Sequence, residues 1–371
     1  MVKVLQFKKK KLIVVAACTT VFLTVLLMPS LSSRSKETII TSAVFNDMPE
    51  VVFAQSKLSS CAEAQEHKHL GGETQAAVAG VQFDMFVYAS GGIRDIVSDS
   101  IARSKSWEGI ETTKLMSLLP CDDGLGGGMK TVCDEDAKSR GVLLDVGANI
   151  GWFSLVALHL GHDVIAFEPF QNNVDILCNS ILEYTSWTEK RRFHLNQLGL
   201  DFKRRQCELF QVKNINIGDT HSVCDKKTRD KMLGNKYESL GWMNTTTLDD
   251  ALFSGTFSSV DHIDVMKIDV EGFESAVIFG GNKFFESKYA PSYVYMEMVS
   301  SFMHTVTGSE NKGNDFFRAI LLHMHNHGYE LEPLSKNDSG QELSLHKNSF
   351  EEIQRVYDGK NVLFVRIKNI S

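Results

Sequence analysis

Asp145, Gly147, Asn149 and Gly151 alternate through the stretch DVGANIG, between two largely apolar runs. A glycine just past a strand lets the chain turn sharply and lets a ligand approach the backbone. The helix that follows offers free N–H groups and the positive end of its dipole. Such a turn cradles phosphate when its spacing is G-x-G-x-x-G or when a P-loop lysine follows. Here the glycines stand as G-x-x-x-G, no such lysine follows, and Asp145 precedes the turn. An acid there disfavours a pyrophosphate and suits a cationic ligand that carries an amino group and a sulfonium. Glu168, in IAFEP, can accept from both hydroxyls of a ribose, a grip that a nicotinamide dinucleotide would also use. A second constellation lies in VMKIDVEGFESAVIFGG, where Lys267, Asp269 and Glu271 alternate before Gly272. Three charges beside apolar neighbours are costly unless they pair or work. They read either as a salt-bridged strand end or as a reacting edge.

These residues need elements to hold them. Apolar runs predict strands over 142–146, 163–168, 193–198, 264–268 and 292–298, with YELEPL and NVLFVRI closing the chain as strands. Helices are expected over 150–160, from a cap at Asn172 or Asn173 through 181, over 273–279 and over 316–327. A strand or hairpin is expected near 208–217. Strands alternating with helices predict an α/β fold, a parallel sheet covered on both faces. Ligands of such sheets lie outside the carboxyl ends of the strands, where DVGANIG falls.

Taken together, LLDVGANIGWFS, AFEP, NINIGD, TTLDDAL, VMKIDVEGFE and NVLFVRI resemble the FkbM family of AdoMet-dependent methyltransferases, over about residues 140–368. The resemblance implies a class I methyltransferase fold. This is a Rossmann-like, doubly wound sheet of seven strands, mostly parallel, with an antiparallel last strand. It implies S-adenosyl-L-methionine (AdoMet) as methyl donor and O-methylation as the commonest reaction. By position, Asp145, Gly147, Asn149 and Gly151 form the AdoMet loop, Glu168 takes the ribose, and Asp269 and Glu271 line the reacting end beside Lys267. An aliphatic hydroxyl is too weak an acid to ionise unaided. Asp269 or Glu271 is therefore expected to act as general base, or the pair to help hold a divalent metal. Glu297, in YMEM, is a third acid for the same rim. The segment 185–225, with its EKRRF and FKRRQC runs, departs from the pattern and leaves the adenine wall unassigned.

Other residues carry weaker signals. His323 and His327 share a helix face as a candidate metal pair, although histidines also suit a helix C-terminus. His304 is a candidate for the acceptor pocket, and Trp152 reads as packing. Six cysteines lie beyond Cys18; Cys121–Cys133 and Cys207–Cys224 could each close a short polar loop, and Cys178 reads as a buried free thiol.

The first 11 residues hold five lysines and no acid, and residues 12–28 carry no charge. Such a run spans ~25 Å as a helix and predicts a transmembrane signal anchor with a cytoplasmic tail; the alternative is a cleaved signal peptide and secretion. The expected order is tail 1–11, anchor 12–28, a disordered stem 29–80, an extension 81–140 packing on the catalytic domain, and a methyltransferase domain 141–371. The chain carries −7 overall despite its basic start, so its acidic body is a poor partner for nucleic acid. Sequons at Asn244, Asn337 and Asn369 agree with a Golgi or other secretory lumen. That setting predicts a glycan or glycoconjugate hydroxyl as acceptor. The competing readings are a NAD-linked oxidoreductase and a non-catalytic binding module of the same fold.

Overall fold

The computed structural model describes residue 61 and residues 71–89, 95–122, 132–134, 137–213, 220–233, 236–300, 310–332, 343–345 and 347–367, all within the unit Phe53–Ser371. Gly71–Val78 (β1) and Val81–Tyr88 (β2) pair antiparallel across Ala79 and Gly80, whose φ angles of 53° and 85° are those a two-residue hairpin turn requires. Ile96–Ser104 (α1) is capped by the Asp95 carboxylate, which accepts from the Ser98 N–H. Gly109–Ser117 (α2) follows, then a ribbon of Cys121–Asp122 (β3) and Ser139–Arg140 (β4).

Val142–Val146 (β5) is buried at every position, as a strand covered on both faces must be. Trp152–His159 (α3) buries seven of its eight residues, so it is apolar all round and lies inside the fold. Asp163–Phe167 (β6), Gln171–Tyr184 (α4), Trp187–Arg191 (α5) and Phe193–Asn196 (β7) continue the alternation. Gly199–Leu200 (β8), Gln206–Val212 (β9), Thr220–Val223 (β10), Lys226–Met232 (α6) and Tyr237–Thr246 (β11) then depart from it. Their strands form a separate sheet in the order β10-β9-β11-β8.

The main sheet resumes after Leu248–Phe253 (α7) with Val265–Ile268 (β12), Glu274–Phe279 (α8), Asn282–Glu286 (α9), Tyr293–Met298 (β13), Glu310–Asn326 (α10), Tyr329–Leu331 (β14), Phe350–Tyr357 (α11) and Lys360–Arg366 (β15). Its order is β14-β15-β13-β12-β5-β6-β7. The pairs from β13 through β7 are parallel, and β15 runs antiparallel to both neighbours. This is the seven-stranded, doubly wound order expected of a class I methyltransferase. The strand sequence reverses between β5 and β12, which makes the gap above them the switch point.

Three expectations need correction. Residues 71–78, read as the end of a stem, form β1; only Ala76 is buried there, so the strand has almost no apolar signature. Helix α4 starts after Phe170 and not at Asn172 or Asn173, because the Glu168 carboxylate takes the Phe170 N–H and Asn173 turns inward to the Tyr88 hydroxyl. Cys178 is not a free thiol. Its helix packs on β2, and it pairs with Cys61; Cys121–Cys133 and Cys207–Cys224 are bonded as expected. The strand expected at 193–198 is β7 of the main sheet, and the one expected near 208–217 is β9 of the small sheet. Among the described residues no helix is long and apolar enough to cross a membrane. The tail at 1–11, the anchor expected at 12–28, most of the stem, the NINIGD stretch and His304 lie outside the described residues.

Candidate active site

The loop after β5 is shaped by contacts with two neighbouring strands. Gly147 has φ 77°, and a Cβ on it would lie 1.9 Å from the Asp269 carbonyl oxygen, so only glycine brings the β5 and β12 loops this close. The Gly147 and Ala148 N–H groups donate to the Phe167 carbonyl at 2.9 and 3.1 Å, which fixes the loop against β6. Asn149 also has positive φ, 52°; its N–H donates to Glu168 Oε2 at 2.8 Å. Gly151 serves packing, because a Cβ there would sit 2.1 Å from Leu177 Cδ1 on α4.

Glu168 is 4% exposed. Its Oε1 accepts from the Phe170 N–H at 2.9 Å and faces Asn173 Nδ2 at 3.4 Å. Burial pushes its carboxyl up to about 7, against the opposing pull of those hydrogen bonds and of Lys267. A carboxyl in this state holds the loop and still presents itself to a ligand.

Lys267, Asp145 and Asp269 meet beneath the loop. Register pairs Lys267 with Asp145, so both side chains leave the same face of the sheet. Lys267 Nζ donates to the Gly147 carbonyl at 2.8 Å and lies 3.6 Å from Asp145 Oδ1 and 3.4 Å from Asp269 Oδ2. Burial works to lower this lysine; Asp269, Asp145 and Glu108 outweigh it and hold the ammonium above its usual range. It therefore serves as a fixed cation and not as a proton acceptor. Asp145 is fully buried, and its other oxygen accepts from Ser154 Oγ at 2.7 Å. Its charge is directed at Lys267, away from the ligand side on which the sequence reading put it.

Glu271 has φ 53°, a left-handed conformation that marks a tightly held turn. Glu274, which sequence reasoning passed over, makes that turn. Its buried Oε1 accepts from the Val270 and Gly272 N–H groups, both at 3.2 Å. Burial pushes Glu274 up to about 7, with those hydrogen bonds opposing.

An open cleft lies over the switch point, where ligands of such sheets bind. It brings together Gly147, Asn149, Glu168, Asp269 and Glu271; Asp145, Gly151 and Lys267 do not line it. Leu200, Leu209 and Met243 of the small sheet, with Thr220 and Ser222, supply the opposite wall that the sequence left unassigned.

The histidine pair belongs elsewhere. His323 is fully buried and stacks on His327 at 4.2 Å between ring centroids, among Phe279, Phe285 and Tyr329. Trp152 Nε1 donates to Thr112 Oγ1 at 2.9 Å, a packing contact with α2. Among the described residues, the only three-residue group with metal-ligand spacing is Asp201 with Cys207 and Cys224, and those cysteines are disulfide-bonded. Asp269 and Glu271 do not form such a group.

The family model of the Methyltransferase FkbM domain matches residues 145–331. Among solved structures, the chain is similar to a methyltransferase FkbM from Methylobacillus flagellatus KT, at 16% identity and a TM-score of 0.30, covering 48% of this chain and 37% of that one. It is also similar to a precorrin-6y C5,15-methyltransferase from Geobacter metallireducens GS-15, at 11% identity and a TM-score of 0.29, covering 62% and 77%. No curated protein matches the chain. The matched segment begins at Asp145 and takes in the glycine loop, Glu168, the Lys267–Glu274 turn and Glu297, and with it this chain belongs to the FkbM methyltransferase family.

Proposed function

We propose that this protein is an AdoMet-dependent O-methyltransferase acting on a glycan or glycoconjugate hydroxyl in the secretory pathway. One observation carries the reading: Gly147, Asn149 and Glu168 share a single cleft with Asp269 and Glu271 at the sheet's switch point. The cleft fits the donor, since Gly147 and Asn149 line it beside Glu168, which offers a carboxyl at the end of β6 for a ribose diol. AdoMet, when bound, supplies an electrophilic methyl on a sulfonium. The chain must then orient a hydroxyl and accept its proton. Asp269, half-exposed beside Lys267, and Glu271, on its strained turn, are the acids at hand for that proton.

The secretory setting is supported by three disulfides that pair all six cysteines beyond Cys18, and by the exposure of Asn244 in its sequon. The uncharged run at 12–28 supports a membrane anchor with a lumenal catalytic domain. Family membership displaces the NAD-linked alternative.

The test is a radiolabelled methyl-transfer screen over secretory glycans and lipids with wild-type protein, Asp269→Asn and Glu271→Gln. Wild-type turnover is expected to fall at least tenfold in one variant while AdoHcy still binds. Full turnover in both would remove the proton-acceptor assignment. AdoHcy binding without transfer to any acceptor would favour the non-catalytic module.

A further inference from the structure

The N-terminal extension adds a carboxylate to the reacting edge. Asp145, Lys267 and Tyr295 stand in register on β5, β12 and β13 and therefore project from one face of the sheet. Glu297 lies two residues past Tyr295 and shares that face. Helices α2 and α3 cover it, with Leu115 and Met116 packed in the same core as Tyr295 and Trp152. Glu108 immediately precedes α2, held at φ 41° and half-buried. Its charge acts on Lys267, Tyr295 and Glu297, and Asp269 acts on it in turn. Three of the described non-glycine residues with positive φ thus lie around the reacting edge: Glu108, Asn149 and Glu271. Such strain persists where the surroundings enforce it, and it gathers at working sites.

A second observation marks this group as more than a cluster of acids. Tyr295 is 7% exposed, and its hydroxyl has no hydrogen-bond partner. The charges acting on that hydroxyl are Glu108, Glu111, Asp269 and Glu297. A buried hydroxyl without a partner, beside these acids, is a group that a polar ligand would satisfy. Lys267 is the cation acting on this group, and it is already shared with Asp145 and the Gly147 carbonyl.

We propose that Glu108 and Glu297, with the Tyr295 hydroxyl, form the acceptor side of the reaction centre around Asp269, and that this side takes uncharged or amine-bearing hydroxyl compounds and rejects anionic ones. The inference rests on the methyltransferase reading and adds to it a residue from outside the matched family domain. The surplus negative charge favours the sulfonium of AdoMet over the neutral thioether of AdoHcy. It repels a carboxylate, sulfate or phosphate near the acceptor hydroxyl.

The experiment measures AdoMet and AdoHcy affinities by calorimetry on the full chain at a pH of about 8.5, where Glu297, pushed up to about 7 by burial, is ionised, for wild type, Glu108→Gln, Glu297→Gln and Glu108→Asp. Each glutamine variant is expected to weaken AdoMet by about three- to tenfold and to leave AdoHcy within about twofold, and Glu108→Asp to restore most of the difference. In saturation-transfer NMR, AdoHcy-loaded protein is expected to bind glucosamine better than glucuronate. An unchanged AdoMet-to-AdoHcy ratio in both glutamine variants overturns the inference, as does equal weakening of the two ligands. Glucuronate binding that matches or exceeds that of glucosamine does the same. Wild-type protein that binds neither AdoMet nor AdoHcy overturns the methyltransferase reading, and the inference falls with it.

Discussion

Replacing Lys267 with methionine tests whether this lysine is the clasp of the site. Methionine keeps most of the volume and removes the charge. The Asp145 carboxylate, fully buried, then keeps Ser154 Oγ as its hydrogen-bond partner, and the Gly147 carbonyl loses the 2.8 Å bond from Nζ. Breaking a buried ion pair by removing one member costs about 3–5 kcal/mol, because the other charge is left uncompensated. A buried carbonyl left without its donor adds about 1–3 kcal/mol where water does not reach it. The expected loss in Lys267→Met is therefore about 3–5 kcal/mol or somewhat more, read as a fall in the midpoint of equilibrium unfolding in guanidinium with the disulfides intact. The double variant Lys267→Met with Asp145→Asn removes the stranded charge and should recover about 1–3 kcal/mol of that loss. AdoHcy affinity should fall in the single variant, since the Gly147 carbonyl is no longer held. A single variant within about 1 kcal/mol of wild type would refute the argument, and so would a double variant no more stable than the single one.

Glu168 has its carboxyl near 7 in the free protein, and a ribose diol donates to the ionised form. AdoHcy binding near pH 7 should then release a fraction of a proton, measured as a binding enthalpy that varies with the buffer's ionisation enthalpy; Glu168→Gln should abolish the release and weaken AdoHcy by at least tenfold. Glu274 is also raised to about 7, above its unfolded value of 4.5, so the folded state binds its proton more tightly. Its contribution to stability is greatest at acid pH and falls as pH rises from about 4.5 through about 7. Glu274→Gln should flatten that part of the pH–stability curve, as followed by thermal unfolding. Removing the Cys61–Cys178 bond as a double serine variant frees a loop that joins residues 117 apart. It should cost about 2–4 kcal/mol in guanidinium unfolding.

The central sheet was legible because parallel strands buried on both faces are written as short apolar runs. Val142–Val146 and Val265–Ile268 are buried at every position, and the sequence marks both. The glycine loop and Glu168 were legible for the same local reason, since strand, turn, helix, strand and acid stand in order. What could not be read depends on partners remote in sequence. Strand β1 owes its existence to pairing with β2, not to an apolar face. Cys178 has a helical neighbourhood that suits a thiol, and its partner Cys61 lies 117 residues earlier in the chain, beyond any local pattern. Asp145 was read from its position beside the loop, but its direction follows from register with Lys267. Glu108 lies 161 residues before Asp269, and no local pattern links them.

The motif KIDVEGFE emerges as a structural clasp with a chemical rim. Lys267 points into the fold and holds the Gly147 carbonyl between two aspartates. The Asp269 backbone lies against Gly147 so closely that no side chain fits there. Glu274 gathers the N–H groups of Val270 and Gly272 and sets the turn that carries Glu271. Thus the acids buried beneath the loop hold it, and Asp269 and Glu271 line the cleft. Glu168 belongs to both sets, because its carboxylate fixes Asn149 and Phe170 and the residue also lines the cleft. This division predicts different signatures on substitution. Changes at Lys267, Asp145 or Glu274 should move stability and donor binding together. Changes at Asp269 or Glu271 should move turnover with little effect on stability, since their side chains are partly exposed.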